Sequence, residues 1–218
     1  MQRRFELLVF DWDGTLMDSA AAIIASIQLS CRDLGLPVPE RERAAHVIGL
    51  GLKDALTYVA PQLPSSEYGK LAERYRHHYL ARDADIELFP GVREMLAALK
   101  EKGHVLAVAT GKSRAGLERV FEATQLKQYF DSSRCADETH SKPHPAMLQE
   151  LMQELLVAPE ATLMIGDTGH DLQMAVSAGV AALAVSYGAH TKDSLTAFNP
   201  LACIDAPQDL APWLTKNA

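Results

Sequence analysis

Asp11 and Asp13 follow directly after an apolar run at Phe5–Phe10. The run predicts a strand that is buried on both faces, where an unpaired charge is costly, so these carboxylates are poor candidates for packing residues. Side chains two residues apart on an extended chain project to the same side, so the pair can face one reacting atom. The intervening Trp12 is expected to point the other way, into the core. Two carboxylates placed like this can supply a nucleophile and an acid or base.

Polar side chains also follow two later apolar runs that are predicted to be strands. Thr110-Gly111-Lys112 follows Val105–Ala109, and Asp167 follows Thr162–Ile165 after a single glycine. The carboxyl ends of parallel strands meet at one edge of a sheet, where ligands bind in this class of fold. We therefore expect these groups to lie close to the first pair of aspartates.

The elements that position these residues alternate between strands and helices from residue 89 onward, which is typical of a parallel sheet with right-handed crossovers. Residues 18–86, by contrast, contain helical patterns and no convincing strand. The first of these helices is predicted to have Ser19 as its N-cap. We therefore expect an α/β fold: a Rossmann-like parallel sheet core from residues 1–17 and 87–218, with an all-helical domain at residues 18–86 inserted after the first strand.

Further elements are predicted from the spacing of apolar residues and from glycine and proline at their ends. In the inserted segment, helical patterns continue at Lys53–Val59 and Ser66–Arg82. The core is predicted to contain, in order, a helix opened by Pro90 and Gly91, a helix near Arg114–Thr124, a strand at Ser132–Cys135, a helix over Ala146–Leu156, a short helix at Leu172–Ala178 and a strand at Ala182–Val185.

The composition restricts the functional class. The 218-residue chain is 48% hydrophobic and carries a formal net charge of -7, which disfavours nucleic acid or an anionic membrane as its partner. It has no apolar run near the ~20 residues that span a bilayer, and its N-terminus has no signal-peptide pattern. The three cysteines have neither a disulfide framework nor metal-ligand spacing, so reduced thiols and a cytoplasmic location are expected.

Four motifs at the predicted strand ends resemble those of the haloacid dehalogenase superfamily, and the match covers nearly the whole chain. In order they are Asp-x-Asp-Gly-Thr at 11–15, Thr-Gly at 110–111, Lys-Pro at 142–143 and Gly-Asp-x-x-x-Asp at 166–171. The helical segment resembles the cap domain that this superfamily carries after its first strand. The layout is most similar to the phosphoglycolate phosphatase-like branch. This resemblance implies a Mg²⁺-dependent phosphatase that acts on a small phosphorylated metabolite through an aspartyl-phosphate; we expect a monomer or homodimer.

The resemblance also implies a role for each motif residue. Asp11 is placed as the nucleophile, and Asp13 as the acid that protonates the leaving alkoxide and then deprotonates water, for which it must begin protonated. Lys142 is the charge that holds nucleophile and phosphate together. Thr110 and Gly111 are expected to bind the phosphate through the hydroxyl and through backbone amides at a helix start.

The metal site implied by the resemblance is made of oxygen atoms. Mg²⁺ is expected to be held by Asp11, by the backbone carbonyl of Asp13 and by Asp167, because hard divalent cations favour oxygen ligands. Asp171 is expected to bind the ion through water or to orient Asp167. Its other interpretation is a charge at a helix N-terminus.

Several assignments stay open at this stage. Gly49-Leu50-Gly51 resembles the superfamily's cap loop that enters the active site, and it is also consistent with an ordinary turn between helices. Lys53 and Arg41 are cationic candidates for an anionic part of the substrate, or plain surface residues. His170 lies between two motif acids and has no assigned role.

Other functions fit parts of the pattern. A phosphohexose mutase resembling β-phosphoglucomutase keeps the same acids, and a pyrophosphatase of the same fold is a further alternative. A binding or response module would keep a phospho-acceptor aspartate without turnover, but Asp13 and the large inserted segment disfavour it. Asp13 also argues against dehalogenation, because a halide leaving group needs no proton.

Overall fold

The computed structural model describes residues 4–218, and its centre is a six-stranded parallel sheet. The strands are β1 (Leu7–Phe10), β2 (Val105–Thr110), β3 (Ser132–Cys135), β4 (Thr162–Gly166), β5 (Ala181–Val185) and β6 (Cys203–Ile204). Their order in the sheet is β3-β2-β1-β4-β5-β6. This confirms the Rossmann-like α/β fold predicted from the alternation of elements. Residues 1–3, part of the stretch predicted to lack a signal peptide, lie outside the described residues.

Helices connect the strands and cover both faces of the sheet. They are α1 (Ala20–Asp33), α2 (Arg41–His46), α3 (Leu52–Val59), α4 (Tyr68–Leu80), α5 (Val92–Glu101), α6 (Arg114–Thr124), α7 (Ala146–Leu155), α8 (Gly169–Ala178), α9 (Lys192–Thr196) and α10 (Pro207–Asn217). None of the helices within residues 4–218 combines the length and the apolar character that crossing a bilayer requires.

β1 lies at the middle of the sheet, hydrogen-bonded to β2 on one side and to β4 on the other. Its four residues are fully buried, with Leu8 and Phe10 in one hydrophobic cluster and Leu7 and Val9 in another. Alternate side chains therefore reach opposite faces, as a strand covered on both sides requires. The ends of β1, β2 and β4 meet at one edge, so the residues that follow them are brought together.

Trp12 packs in the core on the side of Leu8 and Phe10 and has no exposed surface. Its ring meets the ring of Phe121 edge-on, with the centroids 5.3 Å apart. The prediction that Trp12 points away from the two aspartates is confirmed. Packing of this large side chain anchors the segment that carries both carboxylates.

Helices α1 to α4 form the inserted segment, which precedes α5 between β1 and β2, and they share a hydrophobic cluster of their own. The chain enters and leaves this segment through paired backbone: the Asp18 amide donates to Glu87 at 2.9 Å, and the Phe89 amide donates to Leu16 at 3.0 Å. The bonds tie together the two connections of the segment to the core. The division into domains at residues 17/18 and 86/87 stays a prediction.

Several elements differ from the prediction. Helices α2, α9 and α10 and strand β6 were not predicted, because they are short or only weakly patterned; α2 buries Ala44 alone within its bounds. The assignment of Ser19 as a side-chain N-cap is wrong. Ser19 does precede α1, but its hydroxyl makes no capping bond and instead donates to Asp13 Oδ1 at 2.6 Å.

Candidate active site

Asp11 lies one residue beyond β1 and is fully buried. Its amide donates to the carbonyl of Ile165 in β4 at 2.9 Å, which continues the strand pairing and fixes the residue at the sheet edge. Oδ1 accepts from the Trp12 amide at 2.6 Å and lies 2.7 Å from Lys142 Nζ. Oδ2 is buried and has no hydrogen-bond partner among residues 4–218. One oxygen is therefore held, while the other is free to react or to bind a cation.

Lys142 places a buried ammonium between two carboxylates. Its Nζ lies 2.7 Å from Asp11 Oδ1 and 2.7 Å from Asp171 Oδ1. Burial alone would lower the pKa of this ammonium, but the two carboxylates raise it above its usual value, so Lys142 carries its charge. A charge at this depth is stable only when it is paired, and Lys142 is paired twice.

Asp171 has two functions within the fold. Its Oδ2 accepts from the Thr168 amide at 3.1 Å, and the Thr168 hydroxyl accepts from the Asp171 amide, which completes a capping box at the start of α8. The helix-start interpretation of Asp171 is therefore confirmed. Its Oδ1 meanwhile pairs with Lys142, so the same side chain also contributes charge to the site.

Asp167 directly follows β4 at the same edge of the sheet and is fully buried. Its Oδ1 accepts from the Thr15 hydroxyl at 3.0 Å, and its Oδ2 accepts from the Ala189 amide at 2.7 Å. Burial, and after it the charge of Asp171, raises the pKa of Asp167 to about 7. Gly14, at φ +77°, passes so close that a Cβ there would lie 2.1 Å from Asp167 Oδ2, so only glycine fits.

The donor set of this carboxylate cluster fits a hard divalent cation. Oxygen atoms of Asp11, Asp167 and Asp171 lie within 4.8 Å of one another. Burial raises the pKa of Asp11 well above its usual value; Lys142 opposes this shift, and the other two carboxylates add to it. Three buried carboxylates against one lysine leave negative charge uncompensated, which a cation such as Mg²⁺ would balance. The expected ligand role of the Asp13 backbone carbonyl stays a prediction.

Asp13 is held by residues from two other parts of the chain. Its Oδ1 accepts from Ser19 and lies 3.0 Å from Lys112 Nζ. The same Nζ lies 3.0 Å from the hydroxyl of Tyr79, which belongs to α4 in the inserted segment. Lys112 was expected near the two aspartates but was given no role, and Tyr79 was not predicted as a site residue. Lys112 follows the predicted Thr110-Gly111 pair, which was the available signal, but its partner lies 33 residues away in sequence.

The predicted phosphate-binding segment after β2 differs from expectation. Thr110 is buried, and its Oγ1 accepts from the Lys112 amide at 3.2 Å, so the hydroxyl proton is available for a ligand. The expected helix start at this segment is wrong, whereas phosphate binding by Thr110 and by the backbone amide of Gly111 stays a prediction. α6 begins only at Arg114, whose amide donates to Asp137 at 2.8 Å, and the Ser113 hydroxyl caps the helix.

The 49–51 loop, which is Gly49-Leu50-Gly51, reaches the site. A Cβ on Gly49 would lie 3.8 Å from Asp11 Oδ2, and a Cβ on Gly111 would lie 2.5 Å from the carbonyl oxygens of Gly49 and Leu50. The Gly51 amide also donates to the Ser141 hydroxyl at 2.7 Å. The interpretation of this loop as one that enters the active site is confirmed.

The two surface cations that the sequence offered as substrate contacts are exposed in the structure. Lys53 is the second residue of α3, and Arg41 is the first residue of α2. Their interpretation as surface residues is therefore the one that the structure supports.

Three histidines lie where the inserted segment meets the core beside this loop. The carbonyl oxygen of His46 lies 2.6 Å from His170 Nε2 and 3.3 Å from His190 Nε2. The Gly169 amide donates to His190 Nδ1 at 3.0 Å, which leaves Nε2 to carry the proton of that ring. Burial lowers the pKa of His170, and burial followed by the neighbouring His170 lowers that of His190 to about 4. His170 thus attaches the inserted segment to the core.

Comparisons with known proteins found a matching family and similar sequences and structures. A family model described as haloacid dehalogenase-like hydrolase matches residues 8–185. A protein of Dickeya dadantii named "Probable phosphatase IndB" is 39% identical over 91% of this chain and 89% of its own length. A protein of Haemophilus influenzae named phosphoglycolate phosphatase is 31% identical over 99% of each chain. The crystal structure of a hydrolase from Pseudomonas syringae, 21% identical, superimposes with a TM-score of 0.89 over 100% of both chains and shares the fold.

Proposed function

The chain belongs to the haloacid dehalogenase-like hydrolase family, and we propose that it is a Mg²⁺-dependent phosphatase that hydrolyses a small phosphorylated metabolite through an aspartyl-phosphate. A phosphoglycolate-like ester is the proposed kind of substrate. A cytoplasmic location and a monomeric or homodimeric state complete the proposal.

The observation that carries the proposal is the asymmetry of the Asp11 carboxylate. Oδ1 is fixed by the Trp12 amide and by Lys142, whereas the buried Oδ2 has no partner among residues 4–218. A nucleophile needs one oxygen free and a fixed orientation toward the reacting atom. A carboxylate that served only in packing would have both oxygens satisfied.

In the first step, Asp11 Oδ2 forms a bond to phosphorus as the bond to the leaving oxygen breaks. Lys142 offsets the repulsion between the carboxylate and the phosphate dianion. The Thr110 hydroxyl can donate to a phosphate oxygen, because its own oxygen is already engaged by an amide. Asp13 gives a proton to the leaving oxygen, so the alcohol departs neutral and the phosphoryl group stays on Asp11.

In the second step, water attacks the phosphoryl group on Asp11. Asp13, now a carboxylate, takes a proton from that water as the new bond to phosphorus forms. The bond between phosphorus and Asp11 breaks, which releases inorganic phosphate and restores both carboxyl groups to their starting states. The 49–51 loop limits the access of bulk water to this region.

A divalent cation would be held by Asp11 and Asp167, with Asp171 beside them. When bound, it would neutralise phosphate charge during transfer. The charge imbalance of the carboxylate cluster supports this part of the proposal.

Release of 4-nitrophenol from its phosphate ester is the first test. We expect turnover in Mg²⁺, loss of turnover in chelator, and a loss of at least about 1000-fold in Asp11→Asn, because the amide is not a nucleophile. Asp18→Ala is the matched control, since Asp18 is an exposed aspartate in the same segment. Turnover that persists undiminished in chelator would count against the proposal.

Asp13→Ala gives a sharper test of the intermediate. Because 4-nitrophenolate leaves without a proton, the first step survives in this variant while the second loses its base. A phosphoprotein should therefore accumulate that is stable to acid and cleaved by hydroxylamine, and it should be absent in Asp11→Asn. Failure to trap it under single-turnover conditions would argue for direct attack by water.

The alternative activities predict different products. A phosphohexose mutase would convert a hexose 1-phosphate into the 6-phosphate with little free phosphate, which phosphorus NMR resolves. A pyrophosphatase would prefer pyrophosphate over every monoester in a phosphate-release panel. A response module would stay phosphorylated after acetyl phosphate without releasing phosphate.

A further inference from the structure

Lys112 is a nearly buried lysine that the proposed reaction does not use. Its side chain is 9% exposed and lies between the core and the inserted segment. Nζ is 3.0 Å from Asp13 Oδ1 and 3.0 Å from the Tyr79 hydroxyl, and it lies 5.0 Å from the centroid of the Tyr79 ring. Tyr79 is itself 5% exposed. The ammonium is therefore enclosed by the proposed acid on one side and an aromatic wall on the other.

A buried ammonium requires an anionic partner, because its desolvation is costly. In this structure the partner is Asp13, which also accepts a hydrogen bond from Ser19. The second buried lysine of the site, Lys142, is already paired with Asp11 and Asp171 on the phosphate side. Lys112 thus supplies positive charge on the side of Asp13, where the leaving alcohol would lie.

We propose that Lys112 and Tyr79 form a subsite for an anionic group on the leaving alcohol of the substrate, a carboxylate or a second phosphate. This inference rests on the proposed phosphatase function. The substrate anion takes the place of Asp13 as the partner of Lys112. Asp13 then takes up a proton from solvent, keeps its contact with Ser19 and turns to the leaving oxygen as the acid. Neutral alcohols leave the Lys112–Asp13 pair intact and are poorer substrates. The Tyr79 hydroxyl donates to the bound anion and gives the subsite its wall on the inserted segment.

The test compares esters that differ in charge but little in size. Carboxymethyl phosphate carries a carboxylate, carbamoylmethyl phosphate is its neutral amide, and ethylene bisphosphate carries a second phosphate. We expect kcat/KM of the wild type to be about 10- to 100-fold higher for an anionic ester than for the amide, which is the usual range for one charge-assisted pair. A preference between the two anionic esters identifies carboxylate or phosphate as the natural group.

Lys112→Met keeps the length of the side chain and removes its charge. In Lys112→Met, we expect the ratio of kcat/KM for an anionic ester to kcat/KM for the amide to fall to within about threefold of 1. Lys112→Arg should retain part of the wild-type preference, because it keeps the positive charge. Tyr79→Phe should reduce the preference by a smaller factor. The ratio of two substrates on one protein preparation does not depend on the fraction folded, so partial unfolding of a variant does not affect the result. Lys53→Met, which removes an exposed lysine of the inserted segment, is the matched control and should keep the wild-type ratio.

The outcomes separate this inference from the function on which it rests. If no ester is hydrolysed in Mg²⁺, 4-nitrophenyl phosphate included, the phosphatase proposal fails and the subsite falls with it. If esters are hydrolysed without regard to charge, or if Lys112→Met keeps the wild-type preference, the subsite alone is overturned.

Discussion

In the absence of a divalent cation, the protein should lose stability as the pH rises from about 4 to about 7. The reason is Asp167, whose pKa is raised from 3.8 to about 7 by burial and by the charge of Asp171. A carboxyl whose pKa is higher in the folded state than in the unfolded state binds its proton more tightly when folded. Its stabilising contribution is complete when the pH is below the pKa of the unfolded state. The contribution disappears as the pH rises past the pKa of the folded state.

The size of the effect follows from the shift of the pKa. Each unit corresponds to about 1.4 kcal/mol, so the full window of roughly three units amounts to about 4 kcal/mol. Between pH 5 and pH 8 the expected loss is about 3 kcal/mol, a substantial part of the roughly 5–15 kcal/mol typical of a folded domain. The raised pKa of Asp11 acts in the same direction.

Urea unfolding at pH 5 and pH 8, with chelator and with Mg²⁺, measures this effect. His190 works against it: burial and His170 lower its pKa to about 4, so its contribution is lost as the pH falls. Asp167→Asn keeps His190 and the shape of the side chain but removes the titrating carboxyl. The difference in unfolding free energy between wild type and Asp167→Asn therefore isolates Asp167. In chelator, this difference in unfolding free energy should change by about 3 kcal/mol between pH 5 and pH 8. Mg²⁺ should reduce the change by binding the ionised carboxylates.

One result would refute this reasoning. If the difference between wild type and Asp167→Asn in chelator is the same at pH 5 and pH 8, the carboxyl of Asp167 is not protonated in the folded protein. Burial and the charge of Asp171 would then not raise the pKa of Asp167 in the folded protein.

Three further predictions concern single contacts. Gly111→Ala should lower kcat/KM about 100-fold with little change in melting temperature, because its Cβ would lie 2.5 Å from two carbonyl oxygens of the 49–51 loop. An unchanged kcat/KM would mean that catalysis does not require the 49–51 loop to pack against Gly111. Ser19→Ala removes a donor to Asp13 and should slow hydrolysis of alkyl phosphates about 10-fold but aryl phosphates less, which a comparison of leaving groups detects. Asp171→Asn leaves Lys142 with one carboxylate and weakens the cap of α8; denaturant unfolding should show a loss of about 2 kcal/mol, and no loss would contradict the paired role.

The sheet and its acidic residues were predictable from the sequence because the signal is local. β1, β2 and β4 are apolar runs that end abruptly at polar residues, and parallel strands bring those ends together. Asp11, Asp167 and Lys142 are gathered as expected.

The parts that were not predicted depend on contacts that are distant in sequence. Ser19 has the appearance of an N-cap, but Asp13 competes successfully for its hydroxyl. Lys112 looks like a loop lysine until Tyr79 is placed beside it by the packing of α4. The segment after Thr110 was expected to open a helix, but α6 begins only at Arg114, whose amide donates to Asp137, and the Ser113 hydroxyl caps the helix.

The inserted segment presents main-chain atoms to the core at four neighbouring points: the carbonyl oxygens of His46, Gly49 and Leu50 and the amide of Gly51. Atoms of this kind survive most substitutions of the residues that carry them. Alanine at His46 or Leu50 would therefore register little. Alanine at Gly49 would be strained, because this residue has φ +89° and its Cβ would lie 3.2 Å from Thr168 Oγ1. During evolution, the side chains at His46 and Leu50 can therefore change while the backbone contacts between the inserted segment and the core persist. Substrate specificity can then change without a change in the catalytic residues of the core.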